Sequence, residues 1–507
     1  MGAVDTDQLG SDVDLDQHGA TWVMVYLLGA ADRASAPSPA PLPAAYQGRS
    51  MTTPPSTRYE GAEDPYASAV VAENHEAPTG EGAYSAQAAA MSPEDEETAR
   101  ITAKFGRPRK TIWLVIIGAI GGYIMMMGMG TVLQLRLSII SEDTATATYS
   151  TATSLAALLM LPLIPLIGSL SDRTTSRWGR RKPWIVIGYL VATACFYLIG
   201  VTENPAIIVP AYVVGLTFAQ AGFNAYAVIP VEGIPANMRG RVMGFMGLCG
   251  ALAMSAAAYI ASAFVGNTVL LMCIPPFLAI VCIIPLLVLY KDPQHTAAEV
   301  PQGGLLSIFT NFFVNPLKYP NFGWVWLARF LAGIAMTSFL NFFVLYLIIR
   351  LHNDPESAGK LAGHLSLMSA PISIIFFTGS GWLSDKLGVR RPLVALAAVI
   401  MAGALVMAAM SSNFTIFTVA WCLFAMGQAM YLTVDLALCA AVLPSEADAG
   451  KDMAVFGLAL NLPTVIVPAL APTILGAHND NYPLLWGIAA VFCFIGALLM
   501  PLIKGVK

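Results

Sequence analysis

The sequence predicts an all-α integral membrane protein whose twelve transmembrane helices form two pseudo-symmetric six-helix halves. Three observations carry this. The chain of 507 residues is 56% hydrophobic and only 11% charged, against about a quarter charged in soluble domains. From Thr111 onward, apolar stretches of about 19 to 28 residues recur, each long enough to cross a ~30 Å hydrocarbon core as a helix. One polar loop also occurs twice, at a spacing that a duplication would leave.

Composition excludes several classes. The apolar bulk leaves no room for a soluble catalytic domain, so neither an enzyme nor a cofactor is expected. A net charge of −4, without a basic cluster outside the short loops, gives no reason for a nucleic-acid partner. The seven cysteines (Cys195, Cys249, Cys273, Cys282, Cys422, Cys439, Cys493) fall in apolar stretches without CxxC spacing. They read as small hydrophobes, and no metal site is expected.

Residues 1–104 read as a disordered cytoplasmic tail, rich in Ala, Ser, Pro, Thr and Glu and without apolar periodicity to repay ordering entropy. The patch Trp22 to Leu28 is too short to span. It follows Asp5, Asp7, Asp12, Asp14 and Asp16, where a signal peptide would be positive, so no secretion signal is expected. Either this whole stretch is translated or synthesis begins at Met51; a tryptic peptide from before Met51 decides.

The predicted spans are 111–133, 149–170, 184–202, 206–230, 241–264, 268–290, 323–350, 361–383, 392–411, 414–442, 453–475 and 483–503. They define an N-terminal bundle (105–290), a central cytoplasmic loop (291–322) and a C-terminal bundle (323–507). Prolines within spans, such as Pro162, Pro165, Pro371 and Pro463, are tolerated where neighbouring helices re-satisfy the backbone. A cytoplasmic N-terminus puts nineteen basic residues inside, from Lys104 to Lys507, and leaves only Arg136, Arg350 and Lys360 in outside loops. The asymmetry places both termini in the cytoplasm of a multi-pass cell-membrane protein, with the lipid bilayer as its solvent.

The loop after the second span reads GSLSDRTTSRWGRRKP (Gly168 to Pro183), and that after the eighth reads GWLSDKLGVRRP (Gly381 to Pro392). Gly168 to Gly381 and Asp172 to Asp385 are each 213 apart, but Pro183 to Pro392 is 209, because the first copy holds four extra residues. Pro235 to Pro444 is again 209. Spans one to six and seven to twelve are therefore duplicates, as in transporters built from parallel repeats. The glycines let a helix end pack closely, the aspartates can face a helix N-terminus or an arginine, and the basic residues anchor to anionic lipid.

This paired Gly-x-Leu-Ser-Asp-basic motif resembles the signature of the major facilitator superfamily. The longer first copy, SDRTTSRWGRRKPW, and the segment YLTVDLALCAAVLPSEADAGKDM (Tyr431 to Met453) resemble the sucrose carriers and the wider glycoside-pentoside-hexuronide:cation symporter group. The resemblance covers about residues 105–505. It implies the major facilitator fold, a central cavity lined by spans one, four, seven and ten, and a cytoplasmic latch that closes when the cavity opens outward. The latch set is Gly168, Asp172, Arg173, Arg180, Arg181, Arg239 and Arg241 with Asp385, Lys386, Arg390 and Arg391. Asp172 would meet the start of span eleven and Arg239/Arg241; Asp385 would meet the start of span five.

Ionisable groups inside spans are functional candidates because they are costly there. Arg329 lies about seven residues into span seven and Asp435 seven before the end of span ten, so they share a depth and can pair. One reading is a permanent salt bridge; the other makes Asp435 the carrier of a coupling proton with Arg329 lowering its pKa. Glu232, at the end of span four, reads more as a loop-end charge near Arg239 than as a third coupling group, and its duplicate position is Ala441. Acids that sodium-coupled relatives use in spans one and two are missing, which favours protons. Candidate substrate contacts on the four inner spans are Tyr123, Gln134, Gln220, Asn224, Asn341, Gln428 and Tyr431, amides and phenols suited to sugar hydroxyls and ring faces. Tyr226, Thr337, Ser338 and Thr433 accompany them. Gly240, Gly244, Gly247 and Gly250 read as close helix contact and His364 as structural.

The leading expectation is a monomeric secondary transporter of a small molecule, a saccharide or glycoside, imported with protons. Efflux of drugs or metabolites by the same fold is the rival, though span five lacks the proline of a Gly-Pro-rich antiporter stretch. A nutrient sensor would be signalled by a large folded cytoplasmic extension, and a membrane enzyme by clustered His, Ser or acidic groups.

Overall fold

The computed structural model describes residues 93–293, 319–442, 449–476 and 478–503. The readings made for residues 1–92, for most of the central loop, for Pro444 and for Lys318, Lys504 and Lys507 lie outside the described residues.

Twelve described helices are long and apolar enough to cross a membrane. They are α1 Pro108–Ile140, α2 Glu142–Asp172, α3 Lys182–Val201, α4 Pro205–Gly233, α5 Ala236–Ala263 and α6 Thr268–Leu289, then α7 Pro320–Leu345, α8 Pro355–Leu387, α9 Arg391–Ala409, α10 Phe414–Ala441, α11 Ala449–Leu475 and α12 Tyr482–Leu499. A π-helical turn, Tyr346–Arg350, extends α7.

The two ends of the bundle start their helices differently. At the end away from the motif loops, the side chains of Asn204, Asn267, Asp354, Asn413 and Asn481 accept backbone N–H groups of the first turns of α4, α6, α8, α10 and α12, satisfying donors that a helix start leaves open. At the motif end, α1, α3, α7 and α9 begin with Pro at the first or second position, where its missing N–H costs nothing. Arg107, Arg181 and Arg390 stand at three of these starts. Cations there oppose the helix dipole; the lysine and arginine asymmetry of membrane loops overrides that preference.

Two corrections concern helix boundaries. Arg136, expected in an outside loop, lies within the longer α1, is only 3% exposed, and donates to the carbonyls of Ile199 (3.4 Å) and Thr202 (2.8 Å). It caps the end of α3, where a cation meets the negative pole. The last part of the expected disordered tail is a helix, Pro93–Phe105, ahead of α1. Ile101 and Phe105, one turn apart, are buried, and the Phe105 ring stacks on Tyr290 at 6.1 Å.

The two halves, α1–α6 and α7–α12, meet away from the motif loops. Ser255 on α5 donates to Gly363 O on α8 at 2.9 Å, and Ser154 on α2 to Val465 O on α11 at 2.9 Å. Asn479 donates to Asp143 O at 2.8 Å. Gly359 and Gly363 are needed here: a Cβ on either would press on Ser262 or Tyr259 of α5 at 2.8 and 2.9 Å. The motif end is splayed instead. Cβ atoms built at Gly168, Gly240, Gly244 and Gly247 would meet nothing within 4 Å, so the close packing expected of these glycines is absent in this arrangement. Gly381, by contrast, would touch Thr433 at 3.1 Å.

Candidate functional site

Between the halves lies a cavity of about 960 Å³. Of the expected substrate contacts, Gln134, Gln220 and Asn341 line it. Gln134 is held from both sides: its Oε1 accepts Leu345 N of α7 at 3.1 Å, and its Nε2 donates to Gly130 O at 3.3 Å. Gln220 donates to Asn224 Oδ1 at 3.0 Å, which places Asn224 behind it.

The other candidates are elsewhere. Tyr123 packs edge-on against Phe223 at 5.1 Å. Tyr431 is 1% exposed, inside the C-terminal half. Gln428 is off the cavity, and α10 contributes no lining residue. The cavity is walled instead by α2 and α11, with Tyr149, Thr153, Asn461 and Thr464 as polar groups, and by Tyr212 on α4. The correction has a physical source. The spans are apolar nearly all round, so their sequence does not mark an inward face; the cavity wall follows from which helices leave the interface as the motif end splays. The polar stretch of α2 from Thr144 to Ser154 was the available signal.

Arg329 and Asp435 do meet: Nη1 to Oδ2 is 2.5 Å, with residue exposures of 9% and 1%. Arg329 Nη1 also lies 3.1 Å from Cys439 Sγ, one turn beyond Asp435. Arg329 Nε and the Tyr431 hydroxyl are buried without hydrogen-bond partners. The pair lies within the C-terminal half and does not line the cavity.

The motif residues form a second charged group within the N-terminal half. Arg181 reaches Asp172 at 2.7 Å, Glu232 at 2.9 Å and Ser171 Oγ at 3.0 Å, while Arg180 binds Glu232 and approaches Asp172 at 3.9 Å. Asp292, just after α6, accepts the N–H groups of Arg181 (2.7 Å) and Lys182 (3.0 Å) and so caps α3. Burial pushes the Asp292 carboxyl above the usual carboxylate range, against the pull of those hydrogen bonds and nearby cations. Gly179, at φ +99°, permits the turn beneath it, and a Cβ there would strike Asp292.

This corrects three expected partners. Asp172 pairs with the arginines of its own loop, and not with Arg239 or Arg241. Glu232 pairs with Arg180 and Arg181, whereas Arg239 donates to Ile234 O and stands 4.0 Å from Glu97 of the leading helix. Asp385 is exposed, with no ion pair among the described residues. In the splayed arrangement the loops are drawn away from the opposite half, so each charge takes the nearest partner. Arg173 ends α2, Lys386 lies over the Trp382 ring at 4.7 Å, and Arg390 and Arg391 donate to Ala437 O and Ile503 O. Among the described residues, no group of His, Cys, Asp and Glu could hold a metal ion.

The fold is shared with solved transporters of low sequence identity. The nucleoside transporter NupG matches with a TM-score of 0.59 at 13% identity, over 78% of this chain and 100% of that one. The peptide transporter POT in complex with sulfate gives 0.60 at 14%, over 80% and 97%, and a D-xylose-proton symporter 0.56 at 17%, over 78% and 97%. A segment of 33 residues is 61% identical to an uncharacterized symporter of Synechocystis sp.; it spans 6% of this chain and 6% of that relative. The sequence model of the Major Facilitator Superfamily matches residues 23–258 and 357–506, which is most of the chain, and with twelve membrane-length helices in place the protein belongs to that superfamily of transporters.

Proposed function

We propose that the chain carries an uncharged saccharide or glycoside into the cell by alternating access, coupled to protons. The observation that carries the cargo reading is the cavity wall. Among the described residues it presents amides and phenols, Gln134, Gln220, Asn341, Asn461, Tyr149 and Tyr212, and no charged side chain. Such groups exchange hydrogen bonds with hydroxyls and stack on ring faces without demanding a counter-charge. The lysine and arginine asymmetry assigns the motif end to the cytoplasm, so the splayed arrangement is the inward-facing state of the cycle. In the outward-facing state the latch closes, and Asp172 and Asp385 exchange their present surroundings for the opposite half.

The coupling site is Asp435 with Arg329. It is the buried ion pair of the interior, it carries the unpartnered Tyr431 hydroxyl one turn away, and a change in its proton load would alter how α7 and α10 hold together. Because it does not line the cavity, coupling runs through helix packing and not through contact with cargo.

The test is uptake of labelled saccharides into proteoliposomes with and without an imposed proton gradient. Accumulation that follows the gradient is expected; no uptake of any saccharide would overturn the cargo reading. Asp435→Asn, normalised for folded protein, should abolish gradient-driven accumulation and spare exchange. Full accumulation by that variant would remove Asp435 from the coupling role.

A further inference from the structure

The cavity is polar at its closed end and apolar in its throat, and two helices from opposite halves share this gradient while running in opposite directions. On α2, which starts at the closed end, the lining changes from Tyr149 and Thr153 to Ala157, Met160, Leu161 and Pro165. On α11, which starts at the open end, Ala454 and Leu458 come first and Asn461 and Thr464 follow. The remaining helices agree. Gln134 lies six residues before the end of α1 and Tyr212 seven after the start of α4, each about 10 Å from the closed end at 1.5 Å per residue. Met126 and Met127 are farther down α1.

From this gradient we propose that the preferred cargo is an uncharged amphiphile: a saccharide bearing an apolar aglycone, with the sugar against Gln134, Tyr149 and Tyr212 and the aglycone against Met160 and Leu458. The proposal rests on the saccharide reading above and adds to it an orientation and a selectivity. A free sugar would leave the throat wetted and its apolar wall unused. An apolar aglycone removes that surface from water, and methionine, flexible and polarisable, fits aglycones of differing shape. A uronate or a sugar phosphate would bring a charge into a wall that offers no cation, and burying an unpaired charge is costly. Such substrates are therefore rejected.

The experiment uses the full chain in proteoliposomes and measures, for each of several saccharides, competition by the free sugar, its phenyl glycoside and its uronate or phosphate. Burying a phenyl ring should tighten apparent affinity by about tenfold or more over the parent sugar, and the charged analogues should not compete. Met160→Gln on one wall and Leu458→Gln on the other should each pull the phenyl-to-parent ratio toward one. Parent sugars competing as well as their phenyl glycosides would overturn the amphiphile proposal and leave the saccharide reading standing. Competition by uronates or phosphates would overturn the exclusion of charge. A ratio unmoved by both variants would overturn the placement of the aglycone. Competition by no saccharide of any kind would overturn the underlying reading as well.

Discussion

At the register that relates Pro235 to Pro444, Tyr226 on α4 corresponds to Asp435 on α10. In the N-terminal half the Tyr226 hydroxyl donates to the Val115 carbonyl of α1 at 2.5 Å; in the C-terminal half the same position forms the ion pair with Arg329 of α7. The motif end reverses this contrast. Arg181 corresponds to Arg390, and Glu232 to Ala441. The first arginine sits among carboxylates, while the second donates to the Ala437 carbonyl at 3.0 Å. Each half thus binds its helices with one charged and one neutral device, but the N-terminal half puts its charges near water and the C-terminal half puts them inside. A neutral tyrosine–carbonyl bond cannot change its charge in the physiological range, whereas a buried carboxylate can be switched by one proton. Duplication supplied two similar frames, and the coupling role proposed above is available in only one of them.

The sharpest way to break this comparison is to remove one charge from the interior. Arg329→Met leaves Asp435 buried and uncompensated, and should cost about 3–5 kcal/mol, as losing one partner of a buried pair does. The double variant Arg329→Met with Asp435→Leu should regain most of that loss, because the desolvation of both charges is removed together. Unfolding of the detergent-solubilised protein checks both. A double variant as unstable as the single would mean that the pair is embedded in a wider polar network and is not a self-contained device.

The corresponding change in the other half should be mild. Tyr226→Phe removes one hydrogen bond to a carbonyl, and should cost about 1 kcal/mol in the same assay, with transport retained. A loss as large as that of Arg329→Met would erase the difference between the halves.

How much of this was legible in the sequence follows from the physics of each feature. Spans are read from length and apolarity, so the twelve helices agree with those expected to within a few residues at most ends. The pairing of Arg329 and Asp435 was legible because depth in a membrane helix is a count of residues. What could not be read was the inward face. A helix that is apolar all round carries no stripe to orient it, so Tyr431 could be placed on α10 but not on its buried side, and α2 was not recognised as a cavity wall. Arg136 was misplaced for a related reason: a charge near a span end normally marks a loop, and only the tertiary contact with the end of α3 allows it inside the helix. The partners of Asp172 and Glu232 depend on which state of the bundle is adopted, and the sequence encodes more than one.

The smallest effect concerns Asp292, which caps α3 in the N-terminal half; residue 501, its counterpart at the 209 offset, is Pro. Its folded pKa lies above the ordinary carboxylate value because burial penalises the charged form. The sign follows from linkage. The folded state binds the proton more tightly than the unfolded chain does, so the contribution of this group is fully present below about pH 4, the unfolded carboxylate value, and is lost as pH rises through the folded value. Asp292→Asn keeps an oxygen that can accept from Arg181 or Lys182 and does not ionise. It should therefore match the parent in acid and become more stable than it by under about 1 kcal/mol as pH rises to neutrality. Asp292→Ala removes the acceptor altogether and should cost about 1 kcal/mol, the usual loss of a helix cap, with its deficit largest in acid. Thermal unfolding of the three proteins across pH separates these outcomes. A stability gain for Asp292→Asn that shrinks as pH rises would mean that the ionised carboxylate, through the cations and helix start around it, outweighs its burial, and the motif end of the N-terminal half would then be a charge-stabilised device throughout.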